Sequence, residues 1–291
     1  MTGEALSAAA DAMRAAGVED ARLDAEVLLA AATGWDRAEL AANHDRELPP
    51  PAARGFGEMV RRRLRREPVA YIVGRRGFHG IELAVDPRVL IPRPETELLV
   101  ELALAERPRR LLDVGTGSGA IALAVASGLP ECEVVATDAS AAALEVASAN
   151  AERLGLTDRV EFREGTVPED LANFDLVLAN LPYVGEAEWP DLEPEVTEWE
   201  PRGALLAGPD GLDAIRAFLA ADPPGRCLAL EVGEGQAMAV GELMGSAGFG
   251  EIEVRKDLAG IERVVVGRSK SADFVFSGAI DPKTTKSVPD G

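Results

Sequence analysis

Two short stretches combine residue types that can do chemistry. The first is Asp113-Val114-Gly115-Thr116-Gly117-Ser118-Gly119, a glycine-rich run with an acid two residues ahead of its first glycine. Glycine accepts positive φ and lets a ligand approach the backbone closely. Such a run between a strand and a helix can cradle a nucleotide-like ligand, though by itself the signal is weak. Its GxGxG spacing departs from the GxGxxG of dinucleotide sites, and no second glycine fingerprint accompanies it. Asp113 stands where a carboxylate can accept from a cationic amino group. The second stretch is Asn180-Leu181-Pro182-Tyr183. It offers two oxygens, the Asn180 side chain and the Leu181 carbonyl, that can grip both N–H bonds of one planar group. Pro182 biases Leu181 toward an extended conformation, and Tyr183 can stack on the same group.

The elements around these stretches alternate. From Arg109, RRLLDVG reads as a strand, GAIALAVASG as a helix, EVVATD as a strand and SAAALEVASANAERLG as a helix. VEFREG, FDLVLAN and CLALEVG follow as strands, with GLDAIRAFLA helical before the last of them. This alternation predicts βαβ units and a parallel sheet. EIEVRKDLAG and IERVVVG then read as two strands joined by a short turn, an antiparallel pair at the sheet edge. Asp138 ends the second strand, where an acid can accept from both hydroxyls of a ribose; the plainer reading is a helix N-cap. Thr166 and Val167 follow the third strand. Asn180 follows the fourth, where a ligand crevice opens in such sheets; a proline-containing turn is the plainer reading.

Residues 4–66 read as helices. Leu23, Val27, Leu28 and Ala31 recur at helical spacing, Gly34 suits a C-cap, and Pro49 to Pro51 mark a break before a helix that stops near Pro68. That last helix carries Arg61, Arg62, Arg63, Arg65 and Arg66, read as a solvated face, or more sharply as a contact for an acidic protein or RNA. VAYIVG and GIELAV read as a hairpin, and RVLIP as an extended connector, before Pro94 opens a helix. The expected organisation is a helical domain over 1–68, a hairpin and linker over 69–93, a ligand-binding α/β domain over 94–268 and a mobile tail over 269–291.

Composition narrows the partners. The 30 basic against 50 acidic residues leave a net charge of −20, which argues against a nucleic-acid partner, since phosphate binding needs a basic footprint. No apolar run approaches the roughly 20 residues of a membrane span. The acidic N-terminal stretch does not read as a secretory signal. Cys132 and Cys227 lack any ligand spacing, so the expectation is no metal, two buried thiols and a reducing cytoplasm.

Together, DVGTGSG and the strand-end Asp138 resemble the S-adenosylmethionine site of class I methyltransferases. Asn-Leu-Pro-Tyr resembles the [DNS]-x-P-[YFW] motif of methyltransferases that act on planar nitrogen, whether the exocyclic amine of a base or a glutamine amide. The segment 67–101 resembles, nearly residue for residue, the one preceding the catalytic domain of release factor glutamine methyltransferases: P-x-x-Y-I-x-G, F-x-G, then V-L-I-P-R-P-E-T-E. Leu192-Glu193-Pro194-Glu195-Val196, Glu200-Pro201-x-x-Ala204-Leu205 and ARLDAEVLL (21–29) extend the resemblance over nearly the whole chain to about Arg268. Two positions depart from the pattern: Leu181 replaces a proline, and Thr166 an adenine-contacting acid. The resemblance implies a doubly wound, seven-stranded, mostly parallel α/β sheet with a small N-terminal helical domain. It implies S-adenosylmethionine held by Asp113, Gly115, Thr116, Gly117, Ser118, Gly119, Asp138, Thr166, Val167 and Asn180. Catalysis would fall to Asn180, Leu181, Pro182 and Tyr183, with Phe78 and Arg93 helping to bind substrate. The implied partner is a peptide chain release factor. Adenine-N6 methylation of RNA or DNA, glutamine methylation of a ribosomal protein, and a silent cofactor-binding scaffold are the competing readings.

Overall fold

The computed structural model describes residues 1–167, 173–221 and 226–269. Apart from Ser269, the tail expected over 269–291 lies outside the described residues. Four helices open the chain: α1 (Thr2–Ala15), α2 (Ala21–Thr33), α3 (Arg37–Ala42) and α4 (Pro50–Arg63). They close on a core of small and large apolar side chains, among them Met13, Ala25, Leu28, Leu29 and Phe56. Gly34 caps α2 in the left-handed conformation, as its position predicts. The inner face of α2 is Ala21, Ala25, Leu28 and Leu29, whereas Leu23 and Val27 are exposed. Small alanines let α1 and α4 pack close, so the larger apolar residues are not automatically the buried ones.

The next segment differs from expectation. VAYIVG is a one-turn helix, α5 (Val69–Val73), between Pro68 and the left-handed Gly74, not a strand. Proline before and glycine after outweigh the β-preference of the valines and isoleucine, because burying Tyr71 and Ile72 on one side suits a helical turn. The hairpin is β1 (Arg75–Phe78) with β2 (Ile81–Ala84). His79 and Gly80 form its two-residue turn, both at positive φ. The His79 amide donates to Glu97 at 2.9 Å, which ties the turn to the first helix of the sheet domain, α6 (Glu97–Glu106).

A seven-stranded sheet forms the rest. Its strands are β3 (Arg110–Val114), β4 (Glu133–Asp138), β5 (Val160–Glu164), β6 (Leu176–Ala179), β7 (Cys227–Glu231), β8 (Phe249–Lys256) and β9 (Glu262–Ser269). Their order is β5-β4-β3-β6-β7-β9-β8. The five strands β3 to β7 pair in parallel, and β9 inserts antiparallel between β7 and β8. The central strands β3, β4, β6 and β7 are covered on both sides, so successive residues face different layers. Leu111 packs with α6 and α7 (Ala120–Gly128), while Leu112 packs with α10 (Asp213–Ala220) and α11 (Ala237–Ser246). This is why the strands read as unbroken apolar runs. Helix α8 (Ala141–Leu154) flanks β4 and β5, and α9 (Pro194–Trp199) lies in the crossover before α10.

The arginine run divides: Arg61 and Arg65 are exposed, as a solvated face requires, whereas Arg62, Arg63 and Arg66 turn to carboxylates. Arg63 is buried and bonds both Asp24 of α2 at 2.7 Å and Glu195 of α9 at 2.6 Å. Arg66 grips Glu193 at 2.7 Å and Glu195 at 2.6 Å, and Arg62 takes Glu67. Burial raises the Asp24 carboxyl above its usual range despite Arg63. Glu195 is held low by Arg66 and Arg63 even though burial opposes them. These pairs join the helical domain to the sheet domain. Arg63→Ala leaves the partly buried Asp24 carboxylate without a cation and Glu195 with Arg66 alone. It should lower unfolding free energy by about 3 kcal/mol in urea titration, more than Arg61→Ala, whose pair is on the surface.

Candidate active site

Every sequence-predicted ligand residue of the sheet domain lies at the carboxyl end of a parallel strand or in the segment that follows it. After β3 the chain turns through Gly115, Gly117 and Gly119, with φ of 74°, 56° and 83°. Side chains strain at these angles. A Cβ on Gly119 would also stand 2.8 Å from Leu123. The amides of Gly115 and Thr116 both donate to the Thr137 carbonyl at 2.9 Å, so the neighbouring strand holds the loop. Asn150 of α8 holds it from behind: its Nδ2 donates to the Ser118 carbonyl at 2.9 Å and to the Ala84 carbonyl at 3.0 Å, while its Oδ1 accepts from the Ala84 amide at 2.7 Å. One buried amide therefore connects hairpin and glycine loop.

Asp113 sits beneath the loop and is fully buried. Its Oδ2 accepts from the Thr116 hydroxyl at 2.6 Å and the Ala122 amide at 3.2 Å, and its Oδ1 has no hydrogen-bond partner among the described residues. Burial pushes this carboxyl up to about 7. Asp138 accepts from the Gly117 amide and the Ser140 amide, both at 2.9 Å. The N-cap of α8 is Ser140 rather than Asp138. Thr166 is exposed, and its carbonyl accepts from the Thr137 hydroxyl.

A cavity of about 610 Å³ runs along this edge. Its walls include Gly115, Gly117, Asp138, Thr166, Val167, Asn180, Leu181 and Pro182, with Phe218 on the α10 side. The Asn180 carbonyl and the Leu181 side chain each lie 3.6 Å from where a Gly115 Cβ would be, so the two predicted stretches touch. Nδ2 of Asn180 donates to the Thr96 hydroxyl at 3.1 Å. Tyr183 is held by its carbonyl, which accepts from Gln236 Nε2 at 2.9 Å, and by its hydroxyl, which points to Glu231 Oε1 at 3.4 Å. A Cβ on Gly211, at φ 75°, would stand 2.1 Å from the Tyr183 carbonyl, which leaves glycine as the residue that fits. Val184 exchanges backbone bonds with Leu205 and Ala207, so the E-P-x-x-A-L stretch lies against the end of the Asn180–Tyr183 stretch.

Seven predicted residues do not line the cavity: Asp113, Thr116, Ser118, Gly119 and Tyr183, which belong to the same two stretches as residues that do, and Phe78 and Arg93. Phe78 is buried in the main core with Leu83 and Leu99. Arg93 bonds Glu200 at 2.5 Å, not Glu95 or Glu97. Glu200 is buried and also accepts from the Ile91 amide at 3.1 Å, which fixes the connector. Sequence reading missed Glu200, Glu231, Gln236, Thr96 and Asn150 as site-organising residues. Glu231 carried a signal: it is an acid ending the apolar strand CLALE, in the same relation to its strand as Asp138. Burial pushes its carboxyl up to about 7, against the pull of the Thr96 and Tyr183 hydroxyls.

Fold and site together define a class I methyltransferase. The catalytic domain of hMettl16, solved with an RNA hairpin, matches 66% of this chain at TM-score 0.53 and 17% identity, a likeness of fold. The family described as PrmC N-terminal domain matches residues 4–74, and the methyltransferase small domain family matches 94–192. The release factor glutamine methyltransferase of Geobacter sulfurreducens is 45% identical over 260 residues, 87% of this chain and 91% of that protein. That of Cereibacter sphaeroides is 43% identical over 277 residues, 92% of this chain and 99% of that protein. The chain belongs to the release factor glutamine methyltransferase family. No helix among the described residues is long and apolar enough to cross a membrane.

The two raised carboxyls set a pH dependence. Asp113 and Glu231 titrate near 7 in the folded chain, against ordinary values of 3.8 and 4.5. Between about pH 4 and pH 7 the folded chain binds more protons than the unfolded chain, so stability falls as pH rises. The melting temperature of the ligand-free protein should therefore drop from pH 5 to pH 8. Glu231→Gln should flatten part of that slope, which parallel thermal scans of both proteins at several pH values would check.

Proposed function

We infer that this methyltransferase transfers a methyl group from S-adenosylmethionine to the side-chain amide nitrogen of the glutamine in the Gly-Gly-Gln loop of peptide chain release factors. The observation that carries the reading is the juxtaposition of the Asn180–Tyr183 lip with the glycine loop, within a chain that matches release factor enzymes from helical domain to final strand. The acidic net charge of −20 also suits a protein substrate better than RNA or DNA.

The residues present fit the cofactor. The glycine loop leaves open space where a Gly117 Cβ would project. Asp138 lines the cavity with carboxylate lone pairs beyond those its two amide partners use, which suits ribose hydroxyls. Asp113 keeps one unpaired buried oxygen for a further donor. With no acid at Thr166, backbone groups of Thr166 and Val167 would serve adenine. S-adenosylmethionine supplies an electrophilic sulfonium methyl.

An amide nitrogen is a poor nucleophile because its lone pair is delocalised. The chain's task is to turn that lone pair toward the methyl and hold it there. The Asn180 Oδ1 and the Leu181 carbonyl accept the two N–H bonds. Positive charge grows on nitrogen in the transition state, so these fixed dipoles bind that state more strongly than the ground state. Tyr183 stacks on the planar amide. Leu181 in place of proline keeps the main-chain acceptor, because Pro182 still holds residue 181 extended. Arg93, clamped by Glu200, braces the connector over this side of the site, and Phe78 supports the hairpin from within the core.

Tritiated methyl transfer to a recombinant release factor tests the reading. Label should appear in the wild-type factor and vanish when its loop glutamine is Ala; label that persists overturns the assignment. Asn180→Ala should lower kcat by about 10²- to 10³-fold, a far larger effect than the change in cofactor affinity read by isothermal titration.

A further inference from the structure

Asn180 must present oxygen, not nitrogen, to its substrate, yet a carboxamide fits its space either way round. Packing therefore does not decide the orientation. In this structure Nδ2 points to the Thr96 hydroxyl at 3.1 Å. A hydroxyl has one proton and can donate it in only one direction. Thr96 is buried and lies against the Glu231 carboxyl, which the Tyr183 hydroxyl also faces at 3.4 Å. Glu231 is buried at the end of β7, and its Oε2 has no hydrogen-bond partner among the described residues. An ionised carboxylate only accepts. In that state Glu231 can accept the Thr96 proton, which leaves the Thr96 lone pairs for Asn180 Nδ2 and directs Asn180 Oδ1 outward.

We propose that Glu231, acting through Thr96, is a positioning residue that sets the donor–acceptor polarity of the Asn180 amide and anchors the Tyr183 ring. The proposal rests on the amide-methylating reading above and deepens it. No substrate contact is required of Glu231. A protonated or amidated side chain at 231 can donate to Thr96, which then donates to Asn180. Asn180 turns over in response and faces the substrate's N–H bonds with N–H bonds of its own. The groups facing Glu231 come from three other elements: Glu95 and Thr96 before α6, Tyr183 after β6 and Arg263 on β9. Glu95 and burial favour the proton, while Arg263 opposes it. The carboxyl stands near 7, so polarity can change within an ordinary assay range.

The test compares wild type, Glu231→Gln, Thr96→Val and Thr96→Ser on a recombinant release factor at saturating cofactor. Glu231→Gln should lower kcat at pH 8 by about 10²-fold, close to the loss of one preorganised acceptor, with cofactor Kd within about twofold of wild type. Thr96→Val should match that loss, and Thr96→Ser should recover most of it, because serine keeps the relaying hydroxyl. Wild-type kcat should also fall as pH drops through about 7, a limb that Glu231→Gln lacks. Glu231→Gln turning over within threefold of wild type overturns the proposal. If that variant does not fold, equal activities of Thr96→Val and Thr96→Ser overturn it instead. A wild-type enzyme that labels no release factor refutes the function reading, a different result from active variants beside an active wild type.

Discussion

A carboxamide has two ends of nearly equal size and opposite hydrogen-bonding sense. At the carboxyl edge of this sheet, one such group sits between a buried hydroxyl and the cavity, and its direction decides whether the cavity offers an acceptor or a donor. On the proposed assignment that direction depends on a carboxylate two bonds away, at the end of the neighbouring strand. Leaving an acid almost fully buried is costly, and its raised carboxyl range shows the cost. Apolar residues would fill the same space at β7 without that penalty. They would also leave Thr96 free to donate either way. A buried acid is thus intelligible here as a device for direction rather than for stability.

Parallel register does the remaining positioning. Each of β3, β4, β5, β6 and β7 ends at the same edge, so five loops from distant parts of the sequence converge there. Strand neighbours then knit the loops together: Thr137 carries two amides of the glycine loop, and the Asp138 carbonyl carries Gly165. Positive φ at the three loop glycines is what lets the backbone turn sharply enough for Leu181 to lie against Gly115.

The centre of the sheet was legible because both of its faces are covered there, which makes β3, β4, β6 and β7 apolar runs bounded by turn residues. The glycine loop, Asp138 and the Asn180 lip were legible for a different reason: their chemistry is local, carried by residues adjacent in sequence. What stayed hidden acts across sequence. Arg93 finds Glu200, Asn150 finds Ser118 and Ala84, and Asn180 finds Thr96. No spacing rule predicts such pairs, since they exist only once the sheet has folded. The misread of VAYIVG has the opposite origin. Local β-preference pointed to a strand, but Pro68, Gly74 and the burial of Tyr71 and Ile72 impose a single helical turn. Leu23 and Val27 show the same limit, because helical spacing revealed the helix and small alanines chose its buried face.

The acceptor lip is similar in enzymes that act on an amide and on an exocyclic amine, since both present a flat NH2. Discrimination between them must lie in what surrounds and holds the lip. Here it is held from two sides. Val184 pairs with the Leu205–Ala207 stretch, and the crossover leading to that stretch contains Glu193, Glu195 and Glu200. Arg66 grips the first two, Arg63 shares Glu195, and Arg93 takes the third. The helical domain and its connector are therefore wired by charge to the segment that carries the acceptor loop. A substrate that engages the helical domain meets a lip whose backing is fixed by that same domain. This explains why Arg63 and Arg66 turn inward in so acidic a protein: their partners are the chain's own carboxylates, and only Arg61 and Arg65 of the run stay exposed.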